Sequence, residues 1–211
     1  MALRFETMRE AMVASQLRPT GVDDPALLTA MLTVPRERFV PPALQAVAYA
    51  DVRLDLGYGR ALNTPMVVGR LIDALAIEQG MRVLVLAAGT GYSAAVLQAM
   101  GAGVTAVEPV AALAEQLRTN VAGATLAEGA LTQPPAGPFD AILIDGAVEE
   151  LPDAIVMQLG ALGRLACGLV EDRTTRLARG RRGRSGFALT TFADADVAPL
   201  PEFARPRTFV F

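Results

Sequence analysis

The residues best suited to chemistry are Gly89, Thr90 and Gly91, which close the stretch VLVLAAGTGY, and Glu108 further on. An apolar run rich in branched residues leads into a glycine turn that opens a helix. Bare amides at a helix N-terminus favour a hydrogen-bond acceptor or a partial negative charge. An acid ending the next strand is placed to accept from both hydroxyls of a ribose. Ala87, Ala88, Gly89, Thr90, Gly91, Tyr92, Glu108 and Pro109 therefore form a candidate nucleotide-binding set. The plainer alternative is a tight strand–helix turn beside a solvated glutamate.

Absent residue types narrow the chemistry further. The chain has no His, and its 19 basic side chains are all Arg. That excludes His-based triads, His metal ligands, a Schiff-base lysine and a Walker lysine. With Cys167 the only cysteine there is no internal disulfide, and a zinc site is not expected. Cys167 sits in apolar surroundings and reads as a buried, inert thiol that fits a reducing, cytoplasmic interior. The remaining means are carboxylates, Arg, hydroxyls, amides and a bound cofactor.

The elements that must position these groups follow from periodicity. At 211 residues, 52% hydrophobic and 19% charged, the chain is long and apolar enough for a substantial core. A net charge of -3 predicts no general attraction to nucleic acid or membrane. No apolar run reaches the length of a membrane span. The N-terminal MALRFETMRE lacks the apolar core of a signal peptide. Helices are expected at about 4–17, at 24–32 with Asp23 or Asp24 as cap and Pro25 in the first turn, and at 66–76. Gly57, Gly59 and Pro65 mark an irregular stretch between the last two. From residue 82 strands alternate with helices: strands at 82–88, 103–108, 125–127, 139–145 and 164–170, and helices at 92–100, 111–121 and 150–159. That alternation implies a parallel sheet covered on both faces. Segments 173–178 and 187–192 flank a Gly/Arg turn and read as an antiparallel hairpin. The expected division is a helical cap over 1–78 and an α/β core with a β-rich end over 79–211, in one compact unit.

Two cofactors fit the loop. Gly89-x-Gly91-x-x-Ala94 satisfies the dinucleotide fingerprint with Ala as its last member. S-adenosylmethionine, which also lays its ribose against the second-strand acid, fits equally on spacing. The rest of the chain separates them. Met31, Val34-Pro35-Arg36-Glu37, Phe39-Val40-Pro41, Ala48-Tyr49, Asp51, Gly57 and Gly59 form a distinctive N-terminal block. The core adds Gly89-Thr90-Gly91-Tyr92, Val107-Glu108, Phe139-Asp140-Ala141-Ile142, Leu151-Pro152 and Gly163-Arg164-Leu165. Over roughly residues 8–170 this pattern resembles the protein-L-isoaspartate O-methyltransferase family. The resemblance implies a class I SAM-methyltransferase fold: a Rossmann-like, doubly wound, mostly parallel sheet with an N-terminal helical cap and an antiparallel C-terminal hairpin. It implies S-adenosyl-L-methionine as cofactor and isoaspartyl-containing proteins or peptides as substrates.

The same resemblance locates departures. The family's substrate loop reads T-I-S-Q-P, and here it is Ala61-Leu62-Asn63-Thr64-Pro65. The serine that contacts the reacting carboxylate thus aligns with Asn63, which becomes a candidate catalytic residue or else a cap for the next helix. The acid that holds the cofactor's ammonium aligns with Val85, and the loop's first glycine with Ala87. The Gly-Asp pair near the adenine aligns with Gly129-Ala130. Asp145 ends the fourth core strand where a neutral hydroxyl is usual; it is a second catalytic candidate, suited to a cationic substrate, or else a turn cap. Arg60 is either a carboxylate-pairing residue or a solvated loop side chain. A non-catalytic relative acting as a binding module is the alternative of a different class. Arg173, Arg176, Arg179, Arg181, Arg182 and Arg184 cluster at the hairpin; without interleaved aromatics they read as a solvated tip rather than an RNA surface. The final TFVF is expected to dock on the core.

Overall fold

The computed structural model describes residues 2–172, 174–184 and 186–205. The chain opens with α1 (Ala2–Met12), continued by a π-helical turn at Val13–Leu17, and then α2 (Pro25–Thr33). Pro25 stands at the first turn of α2, and Asp24 Oδ1 accepts from the amides of Ala26 and Leu27, which satisfies two otherwise orphaned donors. A hairpin of β1 (Leu54–Gly57) and β2 (Arg60–Leu62) follows, where an irregular stretch was expected. Its turn residues Tyr58 and Gly59 have φ of 56° and 74°. Two successive left-handed residues make the tight turn that matches strand twist, and a tyrosine there gives no turn signal in the sequence. Next comes α3 (Pro65–Leu75), capped by Thr64, whose side chain accepts from the Val67 amide. Asn63 does not serve as that cap.

The core runs β3 (Arg82–Leu86), α4 (Tyr92–Ala99), β4 (Gly103–Val107), α5 (Ala111–Asn120), β5 (Thr125–Ala127), β6 (Phe139–Val148), α6 (Asp153–Val156), β7 (Leu159–Glu171), β8 (Thr174–Gly183) and β9 (Gly186–Asp194). The strand order is β5-β4-β3-β6-β7-β8-β9, with β5 through β7 parallel and β8 and β9 antiparallel. Val83, Leu84, Val85 and Leu86 are all fully buried, as a strand covered on both faces requires. The helix expected at 150–159 is reduced to one turn, and β7 begins sooner than expected. Leu159 pairs with Phe139, and the Phe139 amide donates to Gln158 O, so backbone pairing outweighs the local helical pattern.

The order reverses at β3, whose neighbours are β4 and β6. Chains that reverse this way bind ligands in the crevice beyond the carboxyl ends of those strands. Part of that crevice is filled by the chain's own C-terminal segment. The Ala147 amide donates to Ala198 O at 2.7 Å, and the Leu200 amide to Ala147 O at 2.9 Å. Phe203 O accepts from the amides of Glu149 and Glu150, and Leu200 and Phe203 are buried. Gly146 allows this approach, since a Cβ there would lie 2.5 Å from Leu200 Cγ. Phe203 docks as expected of the tail; the closing TFVF and Arg173 lie outside the described residues. Among the described residues no helix is long and apolar enough to cross a membrane, and no cluster of side chains suits a metal ion.

Candidate active site

The glycine turn leaves β3 at the reversal point and enters α4. Ala87, Gly89 and Gly91 have φ of 57°, 54° and 98°. Ala87 is therefore strained by about 1–2 kcal/mol in the left-handed region. Its methyl group is buried in the same cluster as Leu131, Leu200 and Phe203, which returns about 0.8 kcal/mol. Glycine would also bring a larger chain-entropy cost. Ala87→Gly is accordingly expected to shift unfolding free energy by less than about 1 kcal/mol in urea titration, strain relief and lost burial offsetting each other. Gly91 has no such latitude. A Cβ there would lie 2.7 Å from Val121 Cγ2 and 3.1 Å from Leu117 Cγ, so Gly91→Ala adds overlap to strain. It is expected to lower stability by about 2–4 kcal/mol in the same titration.

Two loop residues face the N-terminal cap. The Thr90 hydroxyl donates to Phe39 O at 2.6 Å. Tyr92 is 1% exposed and meets Phe39 edge-on at 5.4 Å, with the Arg36 guanidinium 4.7 Å from its centroid. Their side chains tie the loop to the cap, leaving the loop backbone as the surface turned toward a ligand. The Arg36 guanidinium and the Tyr92 ring make a cation–π contact. Burial lowers the Arg36 pKa and raises that of Tyr92.

Glu108 follows β4 directly and is oriented by the loop itself. Its Oε2 accepts from the Gly89 amide at 2.8 Å, and its Oε1 from the Val110 amide at 3.0 Å. Beside it opens a cavity of about 410 Å³ lined by Glu108, Pro109, Leu126, Ala127 and Gly129, with Ala111, Ala114, Glu115, Arg118 and Glu128 completing the wall. Ala130 is exposed and stands outside that wall. The cavity has a mixed apolar and polar lining next to an oriented carboxylate, which suits the adenosine half of S-adenosylmethionine.

Arg60, open in the sequence between a carboxylate-pairing residue and a solvated loop side chain, is 5% exposed and pairs with carboxylates. Its Nε reaches Glu108 at 3.4 Å, while Nη2 and Nη1 reach the two Glu202 oxygens at 2.5 and 3.3 Å. Burial opposes the Arg60 charge, but the bonds to Glu202 and the field of Glu108 raise its pKa overall. Burial likewise opposes ionisation of Glu202, and the bonds from Arg60 outweigh it to hold that carboxyl below its usual range. Glu202 has no signal in the sequence; only the fold brings it to Arg60.

Asn63 and Asp145 do come together, as parts of a buried hub. Asn63 Nδ2 donates to Asp145 Oδ1 at 2.9 Å, and its Oδ1 accepts from the Ala198 amide at 2.9 Å. The Ser93 hydroxyl donates to Asp145 Oδ2, and Arg36 Nη2 donates to Asn63 O. Asn63 is 0% and Asp145 8% exposed. Asp145 therefore neither caps a turn nor offers a free carboxylate to a cationic substrate. Burial raises its pKa, with the bonds from Ser93 and Asn63 acting the other way. Ser93 and Arg36 carry no site signal in the sequence, because their partners lie far along the chain: Ser93 meets Asp145 52 residues on, and Arg36 meets Asn63 27 residues on. Cys167 is buried, and its thiol is pushed up to about 12, in keeping with an inert role. The hairpin arginines are partly engaged: Arg176 pairs with Glu171 and Asp194, Arg182 donates to Leu159 O, and Arg179 lies over Phe192.

Comparison with known proteins bears on this geometry. The family model for protein-L-isoaspartate(D-aspartate) O-methyltransferase matches residues 8–193. A protein-L-isoaspartate O-methyltransferase of Methylorubrum extorquens (strain PA1) is 42% identical over 199 residues, which is 91% of this chain and 87% of that one. Its counterpart in Methylorubrum populi is 41% identical over 202 residues, 92% of this chain and 95% of that one. Among solved structures, a protein-L-isoaspartate O-methyltransferase superposes with TM-score 0.79 at 23% identity over 91% of this chain, which spans 65% of that neighbour's length. A Plasmodium falciparum protein of the same description, in complex with S-adenosyl-L-homocysteine, superposes with TM-score 0.75 at 21% identity, over 94% of this chain and 98% of that one. At these identities the structural likenesses establish the fold.

Proposed function

This chain belongs to the protein-L-isoaspartate(D-aspartate) O-methyltransferase family, and from that premise we propose that it methylates the α-carboxylate of isoaspartyl residues, or the side chain of D-aspartyl residues, in damaged proteins. It is a methyltransferase dependent on S-adenosyl-L-methionine, which when bound supplies an electrophilic methyl group. A substrate carboxylate with pKa near 4 is already ionised at pH 7, so the chain needs no general base and the absence of His is no obstacle. The protein's task is to hold two reactants in line, which can lower a barrier by roughly 7–11 kcal/mol.

The residues divide that task. The Glu108 carboxylate would accept from the ribose hydroxyls, and the Gly89–Gly91 backbone would let the ligand approach closely. The cavity beside Pro109 and Gly129 would take the adenine. The Asn63–Asp145–Ser93 hub would fix the loop between β2 and α3 at the mouth of the crevice, which makes Asn63 and Asp145 positioning residues. The observation that carries this reading is the oriented Glu108 carboxylate at the reversal of strand order, with the glycine turn on one side and the cavity on the other.

The test is methyl transfer from labelled S-adenosylmethionine to a peptide containing one isoaspartyl residue, with the aspartyl peptide as control. A base-labile methyl ester on the isoaspartyl peptide alone is expected. Transfer to neither peptide by folded, cofactor-binding protein would overturn the substrate assignment. No heat with millimolar cofactor would overturn the catalytic one.

A further inference from the structure

Arg60 already holds a carboxylate, and that carboxylate belongs to the protein's own C-terminal segment. We propose that Arg60 is a carboxylate-binding residue of the reaction crevice, and that Glu202 occupies its subsite until a ligand carboxylate displaces it. The inference rests on the methyltransferase reading and adds to it a residue with a defined recognition task.

The argument begins at Glu108, whose side chain is 0% exposed. A carboxylate offers about four acceptor positions. The amides of Gly89 and Val110 use two, and Arg60 Nε approaches both oxygens at 3.4 Å. The single Nε hydrogen is shared between them at that distance, so the acid keeps acceptor capacity for a ribose with Arg60 in place. The two outer nitrogens of this buried guanidinium also need an anion beside them, since an unpaired buried charge is strongly unfavourable. Glu202 serves that need through a two-pronged contact, the geometry by which arginine recognises carboxylates.

Glu202 is also the part of this arrangement most easily displaced. Its side chain is 35% exposed, while its neighbours Leu200 and Phe203 anchor the segment in the core. The side chain can turn outward and leave the segment in place. Arg60 then faces the crevice with two free donors. Both reactants bring a carboxylate: the methionyl end of the cofactor and the isoaspartyl group of the substrate. Val85, where the family resemblance expects an acid for the cofactor's ammonium, is fully buried, so the cofactor's amino-acid end has no grip from that position. Arg60 offers a grip of the opposite charge.

The test uses the full chain with Glu202→Gln and Arg60→Gln, titrated calorimetrically with S-adenosylhomocysteine and with 5′-methylthioadenosine, which lacks the carboxylate. The KM for an isoaspartyl peptide is read alongside, and circular dichroism establishes folding. Glu202→Gln is a near-isosteric change at a partly exposed position, so it keeps the test decisive even if Arg60→Gln does not fold. Removing the internal competitor is expected to tighten the carboxylate-bearing ligand about three- to tenfold and to give 5′-methylthioadenosine nothing. If Arg60 holds the cofactor's carboxylate, Arg60→Gln weakens S-adenosylhomocysteine about 10–100-fold and spares 5′-methylthioadenosine. If it holds the substrate's, both nucleosides bind as before and the peptide KM rises in Arg60→Gln and falls in Glu202→Gln, with kcat kept. Wild-type binding together with unchanged nucleoside affinities and KM in Glu202→Gln overturns the subsite and leaves the methyltransferase reading standing. Folded wild type that binds neither nucleoside overturns both.

Discussion

Glu108→Gln is expected to weaken S-adenosylhomocysteine binding about 10–100-fold, the consequence of losing a hydrogen bond to a charged acceptor. The carboxylate is aimed before any ligand arrives: the Gly89 and Val110 amides each hold one oxygen, so a ribose pays little to order it. An amide keeps the shape but offers one acceptor oxygen where two hydroxyls need partners, and it carries no charge. The fold should survive, because Arg60 retains Glu202 as its anion. Calorimetric titration checks the affinity and far-ultraviolet circular dichroism the fold. Unchanged affinity in a folded variant would remove Glu108 from the cofactor site and with it the main support for placing the ligand there.

Asp145→Ala should destabilise the protein by about 3–5 kcal/mol, because it strands donors inside the core rather than merely deleting a contact. The Ser93 hydroxyl and the Asn63 amide both donate to this carboxylate, and Asn63 in turn accepts from Ala198 and receives Arg36 at its carbonyl. One truncation therefore loosens the cap, the loop before α3 and the C-terminal segment together. Urea denaturation measures the loss, and a decrease below about 1 kcal/mol would show that the hub does not hold these parts. The pH dependence has a definite sign. Burial raises the Asp145 pKa above its unfolded value, so the folded state binds its proton more tightly. This group alone makes the protein gain stability as pH falls from the raised value toward the ordinary aspartate range. Asp145→Asn should abolish that gain. Glu202 acts in the opposite sense: its lowered pKa contributes stability above the usual glutamate range, which is lost as pH falls through the depressed value.

Much of the framework was legible in local pattern. The run Val83 to Leu86 announced a strand buried on both faces, Asp24 and Pro25 announced the start of α2, and Thr125–Ala127 was placed as observed. The loop before α3 was less legible. The sequence offers Asn63 as the cap of α3, but Thr64 takes that place, because Asp145 and Ala198 claim the Asn63 side chain. The segment after Pro152 departs from its helical pattern because Gln158 and Leu159 pair with Phe139 of β6, which no local window contains.

By itself the sequence determined the class of fold, the glycine turn, the acid that follows it, and the exclusion of histidine and lysine chemistry. Each of these rests on residue type and short-range periodicity, which act wherever the chain goes. Only the tertiary structure decided what those residues touch. It gave Arg60 to Glu108 and Glu202, turned Thr90 and Tyr92 toward the cap, and closed Asn63 and Asp145 into the core. Arg60 and Glu202 lie 142 residues apart in the chain. Their pairing follows from where β2 and the C-terminal segment meet at the reversal of the sheet, since a buried charge takes whichever counter-charge the fold sets beside it.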